Sequence, residues 1–263
     1  MEKEKFESKW IKDGIKEYWD GRGRFYDSVP GHGSKEKEKR AWLMEFKNVF
    51  GENRKNVLDV GTGTGFLSLL LADFGHEVTG IDMSEGMLSV AKEKAHDMGL
   101  KIHFERGDAE NLPFDGQTFD CVVCRHLLWT LPNPEKAISE WIRVTKQGGK
   151  IAVIDGVWDR GIGRYLSRVG WILHVMITEK RNPVKSYHYP KEVRDKLPYV
   201  KGIDGEEIAS FLSNFGLKEI SVTDLGYIRE IQKKYLPWYL KFSYSFPTFL
   251  VSGLVSRRSE LED

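Results

Sequence analysis

Short apolar runs recur along the chain, and glycine-containing or polar turns separate them from longer amphipathic segments. Short apolar runs with β-branched residues predict strands, whereas apolar residues at helical spacing predict helices. Strands are predicted at 57–60, 77–82, 119–124, 150–155, 218–225 and 246–255, and residues 102–110 are predicted to form the third strand and its loop. Helices are predicted at 134–146, at 172–177 (helix or strand) and from 205 onward. Because strands alternate with helical segments between residues 57 and 155, the pattern predicts an α/β fold with a mostly parallel sheet and helices on both faces.

No internal repeat or low-complexity linker divides the sequence, which predicts a single domain. The predicted parts of this 1–263 domain are an N-terminal helical lid at 1–35, a cofactor-binding core at 36–155, a substrate-lid insertion at 156–204 and, at 205–263, the end of the sheet with an aromatic-rich insertion.

Residues 57–66 (VLDVGTGTGF) combine a strand, a glycine turn and the start of a helix. Glycines at alternate positions allow a sharp turn and a close approach to a ligand, and the amides at the helix start can face a polar group. The spacing departs from the dinucleotide pattern G-x-G-x-x-G, because the third glycine comes one residue early and Phe66 takes its place. Asp59 also lies inside the strand. The turn therefore predicts a nucleotide-like cofactor and disfavours NAD.

The same run resembles motif I of the class I S-adenosylmethionine-dependent methyltransferases, and the resemblance continues through the strands as far as residue 155. The segment 124–134 and the Gly-Gly turn beyond it are most similar to the small-molecule branch, the methyltransferase-11/ubiquinone-biosynthesis-like group. The resemblance implies a Rossmann-like seven-stranded sheet with an antiparallel last strand. It also implies S-adenosyl-L-methionine as the cofactor and S-adenosyl-L-homocysteine as the product.

The resemblance also implies roles for residues after the second and third strands. Asp82 is placed to accept hydrogen bonds from both ribose hydroxyls, and Met83 is placed to cover an adenine face. Asp108 is expected to accept the adenine amino group, and Ala109 to offer its backbone amide to the ring. The expected cofactor-binding residues are Trp19, Tyr26, Asp59, Gly61, Thr62, Gly63, Gly65, Asp82, Met83, Asp108, Ala109 and Arg125. Packing of the N-terminal helix on the core is an equal alternative for Trp19.

The segment after the fourth strand is expected to border the transferred methyl group, since such folds bind ligands at the carboxyl ends of their strands. His126 is the candidate catalytic base, because an imidazole pKa near about 6.5 suits neutral pH. The alternative is a histidine that only hydrogen-bonds a loop. Arg125 is expected to pair with the methionine carboxylate or with an anionic substrate group, and an ordinary ion pair is the alternative. The candidate substrate contacts are Trp129, Arg164, His174, Tyr187 and His188, with ordinary packing as the alternative.

Composition limits the partners. The 263 residues include 40 basic and 39 acidic side chains, so a net charge of +1 gives no field that recruits nucleic acid or an anionic membrane. The Lys/Glu-rich segments 1–17 and 34–40 predict solvated helical faces.

Two cysteines without a secretory signal suggest the cytoplasm. Cys121 and Cys124 lie an odd number of positions apart on one predicted strand, so they should point to opposite faces and hold no shared metal. We expect a small-molecule acceptor, no nucleic acid, no membrane, no metal, and a monomer or homodimer.

These features predict methyl transfer to an N, O or S atom of a small organic acceptor by in-line displacement, mainly through positioning. The Asp/Asn-Pro-Pro-aromatic motif of amino-methylating nucleic-acid enzymes is absent after the fourth strand, where residues 125–128 are Arg-His-Leu-Leu. A Pro-Cys nucleophile of the cytosine-C5 type is absent too. The alternatives are a non-catalytic cofactor-binding subunit of a larger assembly, with the aromatic segment 227–244 as its partner surface, and an RNA methyltransferase.

Overall fold

One sheet of seven strands organises the part of the chain that the structure describes. The computed structural model describes residues 2–27, 35–157, 169–170, 172–179, 189–241 and 246–256. Its strands are β1 (Asn56–Val60), β2 (Glu77–Asp82), β3 (His103–Arg106), β4 (Phe119–Arg125), β5 (Thr145–Gly156), β6 (Lys218–Asp224) and β7 (Thr248–Leu254). They lie in the order β3-β2-β1-β4-β5-β7-β6. The first five pair in parallel, and β7 is antiparallel to both of its neighbours. The predicted mostly parallel sheet with an antiparallel last strand is confirmed.

Helices cover both faces of this sheet. They are α1 (Glu2–Asp20), α2 (Gly23–Tyr26), α3 (Glu36–Phe50), α4 (Phe66–Asp73), α5 (Glu85–Asp97), α6 (Pro134–Val144), α7 (Lys191–Arg194), α8 (Gly205–Asn214), α9 (Gly226–Lys234) and α10 (Trp238–Lys241). Phe46 of α3 packs in the same buried cluster as Val123 of β4. Trp141 of α6 and Leu212 of α8 pack with Val122 in the opposite cluster. Neighbouring β4 side chains thus enter different halves of the core, as the two-residue period of a strand requires.

The two cysteines follow the same rule. Cys121 and Cys124 are free and buried on β4, and they pack in different clusters, which confirms that they point to opposite faces. Burial raises the pKa of the Cys121 thiol to about 12 and raises the pKa of the Cys124 thiol as well. Both are therefore protonated core residues with little reactivity at neutral pH.

The fifth strand starts earlier than the sequence predicted. β5 begins at Thr145, whereas the prediction placed its start at Lys150 after a separate Gly-Gly turn. Thr145 pairs with Phe119, and the next pair joins Lys150 to Cys121, so the strand bulges between these two pairs. Gly148 adopts a φ of 73° in the bulge, a left-handed conformation that glycine adopts without strain. The expected turn is a bulge inside the strand.

The two Lys/Glu-rich segments are not solvated throughout, so that prediction is wrong in part. The Lys12 side chain of α1 is only 15% exposed, and its Nζ lies 2.7 Å from Asp108 Oδ2. Glu38 of α3 is only 1% exposed, and it accepts a hydrogen bond from Gln232 Nε2 at 2.6 Å. The partners of these side chains come from distant parts of the chain, which a local charge pattern does not reveal.

The substrate-lid insertion predicted at 156–204 falls only partly within the described residues. Its described residues are 156–157, 169–170, 172–179 and 189–204. Residues 172–179 are helical, with a π-helical turn at Val175–Glu179. The division of the chain into lid, core and insertion stays a prediction. Within the described ranges, none of the helices has both the length and the apolar character needed to cross a bilayer.

Trp141 tests how the core supports the loops at the carboxyl edge of the sheet. Its side chain is fully buried, and its Nε1–H donates to Ala109 O at 3.2 Å. We expect Trp141→Ala to lower the free energy of unfolding by about 3–5 kcal/mol through loss of apolar contact and a remaining cavity. Trp141→Phe should cost about 1–3 kcal/mol, because it leaves the carbonyl without its buried donor. Urea unfolding measures both changes.

The matched control is Met44→Ala on α3, since the Met44 side chain is 63% exposed. That variant should stay within about 0.5 kcal/mol of the parent protein. An unfolding midpoint for Trp141→Ala equal to that of the control would contradict the position assigned to this indole.

Candidate active site

A cleft opens at the carboxyl ends of the parallel strands, the edge at which open α/β sheets bind ligands. Its empty space, including the open solvent at its mouth, is about 970 Å³. The predicted site residues that line the cleft are Trp19, Tyr26, Asp59, Gly61, Thr62, Gly63, Asp82, Met83, Asp108, Ala109, Arg125 and His126. The fold therefore brings together side chains that five separate segments of sequence contribute.

Asp59 holds the glycine turn in place. Its side chain is 1% exposed. Its Oδ2 atom accepts hydrogen bonds from Thr62 Oγ1 at 2.7 Å, Ser68 N at 3.0 Å and Ser68 Oγ at 2.7 Å. Burial raises the pKa of the Asp59 carboxyl, and the bonds from Ser68 and Thr62 oppose this rise. Strand β1, the turn and the first turn of α4 are thus joined through one carboxylate oxygen.

The glycine turn leaves part of its backbone open to the cleft. Gly61 and Gly63 adopt φ values of 67° and 56°, in the left-handed region that favours glycine. A Cβ on Gly61 would lie 2.7 Å from Leu127 Cδ1, whereas a Cβ on Gly63 would meet no atom within 4 Å. On the other side, the backbone N–H groups of Gly61 and Thr62 donate to Ile81 O at 2.8 and 3.0 Å. Hydrogen bonds to β2 therefore hold one side of the turn, and the other side leaves space at Gly63.

Asp82 ends β2 beside this turn. Its Oδ2 accepts a hydrogen bond from Gly63 N at 2.9 Å, and its Oδ1 accepts one from Ser84 N at 2.8 Å. Burial raises the pKa of Asp82 to about 6, although both of these backbone bonds lower it. Each carboxylate oxygen has two lone-pair positions, so Asp82 keeps acceptor capacity for hydroxyl donors inside the cleft.

A lysine of α1 joins the loop after β3. Lys12 Nζ lies 2.7 Å from Asp108 Oδ2 and 2.5 Å from Glu110 Oε2, and Lys12 also lines the cleft. Burial acts to lower the pKa of Lys12, but its hydrogen bonds to the two carboxylates, together with their charges, raise it overall. Glu110 is 1% exposed and also accepts from Asn133 N at 2.8 Å. The loop after β3 is thus fastened to α1 and to the start of α6.

Further polar contacts fasten α1 and the residues after α2 over the cleft. Asp20 Oδ1 accepts a hydrogen bond from Ser84 Oγ at 2.7 Å. Asp27 accepts from Thr64 Oγ1 at 2.7 Å and from Lys94 Nζ at 2.9 Å. The N-terminal helices are therefore tied to the glycine turn and to α5 by charged groups.

Aromatic side chains pack beneath these helices. Trp19 Nε1 donates to Tyr189 OH at 2.7 Å, and the Tyr189 hydroxyl is hydrogen-bonded to Thr130 Oγ1. The Trp19 ring centroid lies 5.5 Å from that of Tyr26 and 6.1 Å from that of Trp129, both in edge-on arrangements. Trp19 therefore both lines the cleft and packs α1 onto the core, so the two expectations for this residue are compatible.

His126 follows β4 with an unusual backbone. Its φ of 55° is left-handed, which is uncommon for a residue other than glycine and costs about 1–3 kcal/mol. Its backbone N–H donates to Ile154 O at 2.8 Å and so continues the pairing of β4 with β5. The side chain is 13% exposed, and its Nδ1 lies 3.8 Å from Asp155 Oδ1.

Asp155 itself is fully buried near the end of β5. It accepts hydrogen bonds from Leu128 N at 3.2 Å and Gly156 N at 2.9 Å. Burial raises the pKa of Asp155 to about 7, against the lowering effect of these two bonds and of the Arg125 charge. The Arg125 guanidinium carbon lies 4.1 Å from the centroid of the Phe66 ring, a cation–π contact inside the cleft.

Three predicted site residues in the described chain lie outside the lining of this cleft. Gly65 begins α4 with a φ of 83°, and a Cβ there would lie 3.1 Å from Ala91 Cβ, so it allows α4 to approach α5. Trp129 belongs to the aromatic packing under α1. His174 is buried with its ring centroid 6.4 Å from that of Tyr239. Arg164, Tyr187 and His188 lie outside the described residues.

Sequence reasoning missed Lys12, Glu110 and Asp155. Lys12 carried no signal within a Lys/Glu-rich helix, because its partners lie on the other side of the glycine turn in sequence. Asp155 is the last residue of a predicted strand, and Glu110 is the last residue of the predicted third strand and its loop. An acid at the carboxyl end of a buried strand is a signal that identifies such residues as site candidates.

Comparison with known proteins establishes the family. Residues 58–153 match a family model described as a methyltransferase domain. The chain is 33% identical over 173 residues to the ubiquinone biosynthesis O-methyltransferase of Coxiella burnetii (strain Dugway 5J108-111), covering 66% of this chain and 68% of that protein. It is also 33% identical over 178 residues to the demethylmenaquinone methyltransferase of Renibacterium salmoninarum, covering 65% of this chain and 70% of that protein. The chain belongs to the S-adenosylmethionine-dependent methyltransferases.

Solved structures agree with this family at the level of the fold. The methyltransferase is similar to phosphoethanolamine N-methyltransferase 2 of Haemonchus contortus in complex with S-adenosyl-L-methionine, with a TM-score of 0.59 and 18% identity over 96% of this chain and 56% of that chain. It also resembles the [4+2]-cyclase SpnF, with a TM-score of 0.62 and 18% identity over 91% and 94%. The predicted Rossmann-like class and the cofactor S-adenosylmethionine are confirmed. The acceptor needs separate arguments, because one fold supports different reactions.

Asp59→Ala tests whether this carboxylate organises the turn of the methyltransferase. The change leaves the buried donors of Thr62 and Ser68 without their acceptor, so we expect a loss of about 1–3 kcal/mol in unfolding free energy. Amide hydrogen exchange at residues 61–68 should also become faster, because the link between β1 and α4 is lost.

The control is Asp73→Ala at the end of α4, where the side chain is 40% exposed. Exchange at 61–68 should be unchanged in this control. Unchanged exchange in Asp59→Ala as well would show that the turn does not depend on the carboxylate.

Proposed function

We propose that the methyltransferase binds S-adenosylmethionine over the glycine turn, with the ribose hydroxyls on Asp82 and the adenine between Met83 and the Asp108–Ala109 loop. Two features of the cleft support this arrangement. Asp82 keeps acceptor capacity beside the turn, and Gly63 has no neighbour where a Cβ would stand. A nucleoside with a sugar diol fits both features.

When bound, S-adenosylmethionine supplies a methyl group on a positively charged sulfur, which is already an activated electrophile. The residues of the protein then have to position the acceptor and exclude water. Positioning of this kind accounts for roughly 7–11 kcal/mol of barrier lowering in well-oriented reactions. The contacts of Trp19 and Asp20 on α1, and of Asp27 after α2, serve both tasks, because they hold Trp19 and Tyr26 in the lining of the cleft.

The acceptor that we propose is a small organic molecule with a nucleophilic O–H or N–H, or a sulfur atom. The observation that carries this proposal is the covering of the cleft by α1, held through Lys12 to Asp108 and Glu110. A base of RNA would have to be flipped out and pass beneath this helix, and a net charge of +1 gives no field to attract the backbone. The names of the two relatives, which refer to ubiquinone and demethylmenaquinone, agree with a small acceptor.

His126 is the base that we propose for an O–H or N–H acceptor. It lies in the lining of the cleft next to Arg125 and directly after β4. An imidazole there can take the proton that the acceptor loses, and a general base of this kind contributes roughly 10²–10⁴-fold to the rate.

The ribose assignment predicts a pH dependence of cofactor binding. The pKa of Asp82 is about 6, and hydroxyl donors favour the charged carboxylate, so binding should lower this pKa and release a proton. Affinity for S-adenosylhomocysteine should therefore rise between about pH 5 and pH 7. Asp82→Asn should lose this dependence and bind about 10–100-fold more weakly, because two charge-assisted bonds are weakened.

Calorimetry in two buffers with different ionisation enthalpies counts the released protons. Asp73→Asn serves as the control with the same change of charge at a surface site. Proton release by Asp82→Asn equal to that of the parent protein would exclude Asp82 as the ribose ligand.

The proposed function is tested with purified protein and methyl-labelled S-adenosylmethionine, offered separately to the small-molecule, RNA and protein fractions of a cell extract. We expect label in the small-molecule fraction. His126→Asn should reduce the rate about 10²–10⁴-fold, whereas His96→Asn, at a side chain 91% exposed, should not change it. Label in RNA would favour the RNA methyltransferase. Cofactor binding without label in any fraction would favour a non-catalytic subunit.

A further inference from the structure

The pairing of β4 with β5 brings a buried acid to the histidine of the cleft. His126 N–H donates to Ile154 O, so the residue after β4 lies beside the end of β5. Asp155 comes next on β5, and its Oδ1 lies 3.8 Å from His126 Nδ1. This is an ion-pair distance, longer than a hydrogen bond, and such contacts between catalytic groups often shorten when the acceptor and cofactor are bound.

Asp155 is fixed more firmly than this single contact requires. Its side chain is fully buried, and its oxygens accept backbone bonds from Leu128 and Gly156. The Leu128 bond also fixes the turn that carries His126. The carboxylate is therefore held rigidly at one edge of the imidazole.

We propose that Asp155 is the positioning residue for His126: it accepts a hydrogen bond from Nδ1–H and leaves Nε2 to take the proton of the acceptor. This inference rests on the proposed function, in which His126 is the base. The proton passes from the acceptor O–H or N–H to Nε2 as an acceptor lone pair bonds the methyl carbon, and sulfur keeps the electron pair of the bond that breaks. The resulting imidazolium is positive beside the negative carboxylate, which stabilises it.

Charged and titratable groups around Asp155 and His126 affect which of them is ionised. The Arg125 charge favours the ionised form of Asp155. The Cys124 thiol also faces Asp155, and burial, together with the charges of Asp155 and Asp59, keeps this thiol protonated. The Asp155 carboxylate lies at ion-pair distance from His126 Nδ1, and a negative charge at that distance stabilises a positive charge.

The first test is the protonation of His126 in the protein saturated with S-adenosylhomocysteine, followed by NMR of ¹⁵N-labelled histidine. The His126 signal is assigned as the one missing from His126→Asn, since asparagine tolerates the left-handed backbone. In the parent protein at high pH, the neutral ring should carry its proton on Nδ1. A ring protonated mainly on Nε2 would overturn the proposal.

Asp155→Asn should lower the pKa of His126 by about one unit or more, because an adjacent negative charge is lost. Asp120→Asn is the matched control, since Asp120 is a carboxylate at the opposite end of β4 that accepts from Asn56 N and Lys146 Nζ. The control should leave the His126 titration unchanged. An unchanged titration in Asp155→Asn as well would overturn the proposal. If Asp155→Asn does not fold, the position of the proton on the His126 ring of the parent protein still tests the proposal.

A kinetic measurement separates positioning from a purely structural role. In the parent background, Asp155→Asn should lower the plateau rate about tenfold to a hundredfold and move the acidic limb of the pH profile to lower pH. In the His126→Asn background, the same substitution should change the rate little. Equal losses in both backgrounds would mean that Asp155 supports only the fold. Failure to methylate any small molecule would contradict the proposed function. The NMR result would still show whether Asp155 accepts a hydrogen bond from His126.

Discussion

The geometry of the cleft depends on one carboxylate oxygen, Asp59 Oδ2. It accepts hydrogen bonds from three donors, one on Thr62 within the glycine turn and two on Ser68 in the first turn of α4. The turn is also held from β2 by the carbonyl of Ile81. These hydrogen bonds hold the turn in a conformation in which the Gly63 N–H donates to Asp82 Oδ2. Residues of β1, β2 and α4 therefore fix the floor of the cleft together.

A second constraint is the density of buried acids at this edge of the sheet. Burial raises the pKa values of Asp59, Asp82 and Asp155, to about 6 for Asp82 and about 7 for Asp155. The Arg125 charge favours the ionised forms of Asp59 and Asp155, as it does for the buried Glu38. A positively charged sulfonium in the cleft would act in the same direction, so a cationic cofactor and these acids would stabilise each other.

The sequence predicted the elements whose signals are local. The bounds of β2 were predicted residue for residue at 77–82, because a short apolar run ends there in an acid before a helix cap. The glycine turn was also predicted from the sequence, since its left-handed backbone conformation favours glycine at these positions. The bulge in β5 was missed because it depends on the pairing of Thr145 with Phe119, which only the assembled sheet defines.

The site was predictable to the extent that its residues follow strands. Asp82, Asp108 and His126 were found in this way, and all three lie in the cleft. Lys12 was missed because its ion pairs join positions 96 and more residues apart. The contact of Asp155 with His126 arises from strand pairing rather than from spacing along the chain.

The most direct test of the account is a crystal structure of the protein with S-adenosylhomocysteine. The account predicts both ribose hydroxyl oxygens within hydrogen-bond distance of the Asp82 carboxylate, with the ribose lying over Gly63 and the adenine beside Asp108. A ribose bound elsewhere, with Asp82 contacting only the backbone of Gly63 and Ser84, would contradict it.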